Sequence, residues 1–336
     1  MSEQPAPNEM NAILQKEIGG AETLYIGKTD VPTIQPNQVL IEVHFAALNR
    51  ADLLQREGKY PPPKGESTIL GLEASGIIKE LGSDVIGLNQ GDRVMALLAG
   101  GGQAEYVAVE QELVIKIPQE ISLQQAAAIP EVFLTAYQAL FLEGQTKEQA
   151  TVLIHAGASG VGTAAIQLAK ATHSQVITTS SESKLKICKN LGADLTVNYQ
   201  RQNFAEEVNA FTKGKGADII LDFIGAPYFK QNLECIALDG TLMMISVMGG
   251  FKLDEVNLYP ILKKRVSIKG TTLRARSLDY KKALIQLFVK EVMPLFKSKQ
   301  VVPVIDSTFD WSNIKEAHLY MESNKNKGKI VLQVKE

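Results

Sequence analysis

The sequence predicts an α/β protein in two parts, a β-rich N-terminal domain followed by a doubly wound, six-stranded parallel sheet. Three observations carry this. The apolar run Val152-Leu153-Ile154-His155 enters the glycine-rich turn 156–162, which opens onto the helical pattern 163–170, a strand, turn and helix start in direct succession. After Thr151 strand and helix patterns alternate, as a parallel sheet requires. Before Pro118 the pattern is instead one of short alternating runs punctuated by Gly and Pro.

In chain order, residues 1–9 are polar, contain two prolines and lack the basic and apolar regions of a signal peptide, so they read as a loose tail. From Met10 to Pro118, runs such as 39–45 and 104–109 alternate like half-buried strands, Gly91-Asp92 reads as a turn entering a strand, and Gly100-Gly101-Gly102 as a flexible loop. Pro61-Pro62-Pro63 stiffens a loop. From about Ser122 the period is helical, and strands are predicted at 151–155, 175–179, 194–197, 218–222, 240–246 and 266–270. A long amphipathic helix 278–297, a segment 301–309, a helix 311–324 and a strand 328–334 follow. The last has the β character of the N-terminal region and is expected to return to complete it. The predicted domains are therefore 1–132 with 273–336, and 133–272.

Composition narrows the partners. With 35 basic and 37 acidic side chains the net charge is −2, so no basic footprint demands nucleic acid. No apolar run approaches the ~20 residues that span a bilayer. The two cysteines, Cys188 and Cys235, lack metal-ligand spacing, and Cys188 falls on an apolar helical face. A reduced, cytoplasmic protein that handles small molecules is expected.

The turn carries the strongest chemical signal. Gly157, Ser159, Gly160, Val161 and Gly162 place backbone N–H groups and the positive end of a helix dipole where a dinucleotide pyrophosphate sits. Ser159 stands where the fingerprint has its second glycine, which narrows the backbone's approach but adds a hydroxyl donor. The second strand ends in Ser180, Ser181, Glu182, Ser183 and Lys184 with no acid at its tip. Hydroxyls and a lysine suit a 2′-phosphate and favour NADPH, while Glu182 keeps NADH open and Lys184 also reads as a solvated lysine on a helix 183–191.

Several stretches resemble the zinc-free NADPH:quinone oxidoreductases of the medium-chain dehydrogenase/reductase superfamily, the relatives of zeta-crystallin. They are Ala47-Leu48-Asn49-Arg50-Ala51-Asp52, Tyr60-Pro61-Pro62-Pro63, Leu70 to Gly76, Ala126 to Glu131, His155 to Gly162 and Asn324 to Ile330, and the resemblance runs from Met10 to the end. It is most like the subgroup of the tumour-suppressor-inducible quinone oxidoreductase. It implies a GroES-like β domain joined to a Rossmann domain. Zinc-dependent members place a cysteine where Asn49 stands and Gly-His-Glu where this chain has Gly71-Leu72-Glu73, and they carry a four-cysteine lobe absent here, so no metal is expected.

The resemblance also implies roles. Asn49 and Tyr60 lie beside the nicotinamide and Thr135 near its carboxamide; their plain alternatives are a turn cap, a loop aromatic on prolines and a mid-helix threonine bonded to its own backbone. Asp52 reads as a cap for a helix 53–57. Tyr199 lies at the adenosine end with Lys184. Phe223, Ile224 and Gly225, Ser246 and Met248, and Leu273 with Arg274 border the nicotinamide riboside, and Asn324 stands where some relatives have an arginine near phosphate. The function implied is NADPH-dependent reduction of quinones. Alternatives are an enoyl or alkenal reductase, in which Tyr60 would be the candidate acid, and a dinucleotide-binding structural or RNA-binding protein. Strand 266–270, as a sheet edge, predicts a homodimer.

Overall fold

The computed structural model describes residues 6–335. The chain divides into two compact units, Met1–Leu134 with Leu273–Glu336, and Thr135–Thr272.

The first unit is built on the strand Gln38–Leu48, whose apolar residues Val39, Leu40, Ile41 and Val43 are buried. It belongs to a seven-stranded sheet ordered Ile305–Asp310, Lys329–Gln333, Gln38–Leu48, Glu73–Leu81, Arg93–Leu97, Val114–Lys116, with Tyr106–Glu110 also pairing Gln38–Leu48. The returning strand pairs antiparallel with it, Ile330 opposite Leu48, so the tail completes this sheet. Glu9, the last residue assigned to a loose tail, opens a strand that pairs with Leu24–Asp30; residues 1–5 lie outside the described residues.

In the second unit six parallel strands are ordered Leu195–Asn198, Gln175–Ser180, Thr151–Ile154, Ala217–Asp222, Ile236–Met244, Ser267–Gly270. The order reverses between the neighbours Thr151–Ile154 and Ala217–Asp222, which is where such sheets open a crevice for a ligand. Buried Leu153, Ile177, Val197, Ile220 and Leu242 fill its core.

Element boundaries moved where local chemistry intervened. The expected helix 278–297 is two, Leu278–Glu291 and Met293–Lys297, broken beside Pro294, which has no N–H to continue the ladder. The helix expected at 311–324 is a tight turn Trp311–Asn313 followed by Ile314–Glu322, and that expected at 183–191 is a turn Glu182–Lys184 followed by Leu185–Asn190.

Candidate functional site

In the second unit the residues expected to hold a dinucleotide, Thr135 apart, lie at or just after carboxyl ends of parallel strands. Ser159 is the N-cap of the helix Gly160–Ala171, and its Oγ accepts from the Gly162 N–H at 3.0 Å. One oxygen lone pair therefore serves the helix, and the hydroxyl hydrogen is the donor left for an anion. The first-turn N–H groups of Gly160 and Val161 have no acceptor within the helix, so they add to the same positive pole. Gly157 and Gly162 are there for close packing: a Cβ on Gly157 would lie 2.7 Å from Thr178 Cβ, and one on Gly162 would lie 2.4 Å from the Ala156 carbonyl oxygen.

Ser180 ends its strand and Ser181 caps the turn Glu182–Lys184. The one acid near this strand tip is turned elsewhere, since Glu182 Oε2 accepts from Asn198 Nδ2 at 2.7 Å and faces Arg201 at 3.8 Å. Tyr199 is half exposed at the end of the next strand, its ring 6.3 Å from that of Tyr228. Phe223 is buried, Gly225 caps the helix Ala226–Cys235 with φ 84°, and Met248 is exposed. Thr135 lies on the helix Pro130–Tyr137.

The first unit holds Asn49, Tyr60, Leu273, Arg274 and Asn324. Asn49 precedes the helix Arg50–Arg56; its N–H donates to Asp52 Oδ2 at 2.7 Å, and the Gly71 N–H donates to Asp52 Oδ1 at 2.9 Å. Asp52 is not the N-cap expected of a helix 53–57: the helix starts three residues earlier, Asn49 is its N-cap, and Asp52 lies at the third helical position, where its carboxylate reaches back to the Asn49 N–H as a capping box does. Burial pushes its carboxyl up to about 6 against these bonds.

The Asn49 side chain turns inward, its Nδ2 donating to Glu73 Oε1 at 2.9 Å and its Oδ1 accepting from Lys329 Nζ at 2.7 Å. Lys329 also reaches Glu73 Oε1 at 2.7 Å and the Leu48 carbonyl at 2.7 Å, with the two charged side chains only 3% and 0% exposed. The Glu131 N–H donates to Glu73 Oε2 at 2.9 Å, while Glu131 Oε2 is buried without a hydrogen-bond partner. Burial first, then the neighbouring Glu73, push the Glu131 carboxyl up to about 8.

Arg274 is buried, and its donors reach Ala99 O at 2.7 Å, Gln55 Oε1 at 2.6 Å and Tyr60 O at 3.5 Å, with the guanidinium 5.3 Å from the Tyr60 ring centre. It holds Tyr60 in place. Asn324, with φ 53°, accepts from Arg50 Nη2 at 2.6 Å and so steadies the helix that begins beside Asn49.

These residues do not suit a zinc ion. Leu72 is packed in the core, Glu73 is already neutralised by the Lys329 ammonium, and Asn49 is bonded to both. A second cation there would face an ammonium it could not displace. Among the described residues no group of three His, Cys, Asp or Glu is arranged to hold a metal.

Two family descriptions match the chain, the alcohol dehydrogenase GroES-like domain over residues 35–119 and the zinc-binding dehydrogenase over 160–290. A quinone oxidoreductase-like protein 2 homolog from Nematostella vectensis is 32% identical over 312 residues, covering 92% of this chain and 85% of that one. The chain belongs to the medium-chain dehydrogenase/reductases. Within them it is a zinc-free, quinone oxidoreductase-like member, an oxidoreductase with a nicotinamide dinucleotide fold. An NADPH-dependent alkenal/one oxidoreductase of Arabidopsis thaliana is 30% identical, covering 97% of this chain and 80% of that one. A crystal structure of an NAD-dependent alcohol dehydrogenase superposes with a TM-score of 0.86 at 30% identity, covering 97% of this chain and all of that one.

Sequence reasoning missed Lys329, Glu73 and Glu131 as a buried cluster, and Arg274 as the support of Tyr60. The one signal available was a lysine opening the strand Lys329–Gln333 directly before the apolar run Ile330-Val331-Leu332.

Proposed function

We propose that this medium-chain dehydrogenase/reductase is an NADPH-dependent quinone reductase that works without a metal. The observation that carries the reading is the Asn49–Glu73–Lys329 cluster, which fills the place of a Lewis acid with a charge-neutral set of side chains. A substrate handled there must be electrophilic enough to need no metal polarisation, as a quinone is. NADPH, when bound, supplies the hydride. Ser159 and the amides of Gly160 and Val161 hold its pyrophosphate; Ser180, Ser181 and Lys184 face its 2′-phosphate, with Tyr199 at the adenosine. Phe223, Ile224, Gly225, Ser246 and Met248 flank the nicotinamide riboside, with Thr135 toward the carboxamide. Asn49 and Tyr60 line the acceptor side, Tyr60 held there by Arg274.

A panel of quinones and enones offered with NADPH and NADH tests this. Quinones are expected to be reduced fastest, with NADPH, at a rate unchanged by exhaustive chelation. Enones turned over faster than every quinone, or a rate lost on chelation and restored only by zinc, would replace this reading.

We also propose a homodimer. Strand Ser267–Gly270 ends the six-stranded order, pairs on one side with Ile236–Met244, and carries the part-exposed Ile268. Leu258, Tyr259 and Leu262, all more than half exposed, stand just before it in the chain. Pairing two copies of this edge would cover backbone and apolar surface together. Sedimentation equilibrium is expected to give a dimer that Ile268→Pro weakens by deleting a backbone donor; a wild-type monomer at micromolar concentration would end the idea. Two free, buried cysteines and the lack, among the described residues, of a helix long and apolar enough to cross a membrane support a cytoplasmic setting.

A further inference from the structure

Inside the second unit one set of polar side chains is almost wholly removed from water: Asp222, Asn232 and His155 are 0% exposed and Thr179 1%. Their hydrogen bonds run in one direction. A carboxylate only accepts, so the 3.1 Å contact between Asn232 Nδ2 and Asp222 Oδ2 fixes which way the amide faces. Asn232 Oδ1 then accepts from His155 Nε2 at 2.7 Å, and that nitrogen carries the hydrogen. Burial lowers the tendency of His155 to take a second proton, more than the charge of Asp222 raises it. The neutral ring offers its Nδ1 lone pair to the Thr179 hydroxyl at 2.9 Å. Phe204 and Tyr228 close over the imidazole edge-on, each with its ring centre 4.7 Å away.

The chain of bonds crosses the carboxyl ends of three neighbouring strands, Gln175–Ser180, Thr151–Ile154 and Ala217–Asp222. Its last member organises a loop. Asp222 Oδ1 accepts from the Ile224 and Gly225 N–H groups at 2.7 and 3.0 Å, and its main-chain oxygen accepts from Ile245 at 2.8 Å. Gly225 sits at φ 84°, ψ −130°, where only glycine is at ease, and a Cβ there would meet the Gly250 oxygen at 2.5 Å. The loop conformation is therefore demanding and is held by the Asp222 carboxylate, which is itself aimed by Asn232, His155 and Thr179.

We propose that Thr179, His155 and Asn232 are positioning residues that set the nicotinamide-end loop 222–225 through Asp222, leaving the adenosine end of the cofactor site untouched. The assignment of that loop to the nicotinamide end rests on the cofactor reading above, and the experiment separates the two. Thr179→Val removes the hydroxyl at nearly constant shape, Thr179→Ser keeps it, and Asn232→Leu removes the bridge.

In cofactor-free protein, hydrogen exchange of the Ile224 and Gly225 amides is expected to quicken in Thr179→Val and Asn232→Leu and to match wild type in Thr179→Ser. NADPH is expected to bind about tenfold more weakly to the first two, while 2′,5′-ADP, which lacks the nicotinamide, stays within about twofold. Unchanged exchange at 224 and 225, or equal weakening of NADPH and 2′,5′-ADP, would overturn the proposal. A wild-type protein that binds neither compound would instead overturn the cofactor reading, and the exchange comparison would still decide the role of the chain.

Discussion

Lys329→Met is expected to cost about 3–5 kcal/mol of stability, because it strands the buried Glu73 carboxylate without its countercharge. The ammonium is 3% exposed and the carboxylate 0%, so neither can recover the loss in water. Two further oxygen acceptors, Leu48 O and Asn49 Oδ1, lose their donor at the same time. The double variant Glu73→Gln/Lys329→Met removes the stranded charge and should regain most of the deficit. A loss below about 1 kcal/mol, the range of surface pairs, would show that the cluster is hydrated.

Two other buried carboxyls make the stability of the protein depend on pH. Glu131 is raised from its ordinary 4.5 to about 8 and Asp52 from 3.8 to about 6 in the folded state. Between those limits the unfolded chain releases the proton and the folded one keeps it, so the contribution of each group is full below its ordinary value. It is lost as pH rises through the folded value, for Asp52 by about 6 and for Glu131 by about 8. Urea midpoints measured from pH 5 to 9, with Glu131→Gln as control, read this directly.

What the sequence could show and what it could not divides along chain distance. The strand, turn and helix around Gly157 to Gly162 are legible because the apolar run, the glycines and the helical period stand within twenty residues of one another. The return of the tail is legible from β character alone. Glu73 and Lys329, by contrast, meet only because the last strand pairs in one register, Ile330 opposite Leu48, and the neighbouring strand in another, Ala74 opposite Ala46. A shift of one residue would turn Lys329 to the other face, and no local pattern fixes that register. Arg274 is similar, since its partners Gln55, on the helix Arg50–Arg56, and Tyr60 and Ala99, in loops, are distant in the chain. That Asp52 serves the start of a helix was readable, because capping is local, but it does so from the third helical position and not as the N-cap; that Asn49 would use its side chain on Glu73 and Lys329 was not readable.

Lys184→Ala is expected to weaken NADPH binding roughly ten- to hundredfold, the consequence of losing a charge-assisted contact of about 1.5–3 kcal/mol, and to leave NADH nearly unchanged. The reasoning begins with Glu182. An acid at the end of the second strand ordinarily grips the ribose hydroxyls and repels a 2′-phosphate. Here its Oε2 accepts from Asn198 Nδ2 at 2.7 Å and faces the Arg201 guanidinium at 3.8 Å, so its charge is drawn toward the third strand. Ser180 is buried, its hydroxyl donating to the Ser181 carbonyl at 3.4 Å, whereas Ser181 is part-exposed at the strand end, and Lys184, part-buried at the close of the turn, is the cation within that segment. A dianionic phosphate placed beside them gains the Ser181 hydroxyl donor and an ammonium, whereas NADH offers only a neutral hydroxyl to the same groups. Dissociation constants for both cofactors, measured on wild type and Lys184→Ala at one fixed ionic strength, decide the matter. Equal losses for NADPH and NADH would place Lys184 on a phosphate that both share, and the 2′-phosphate assignment would then pass from this turn.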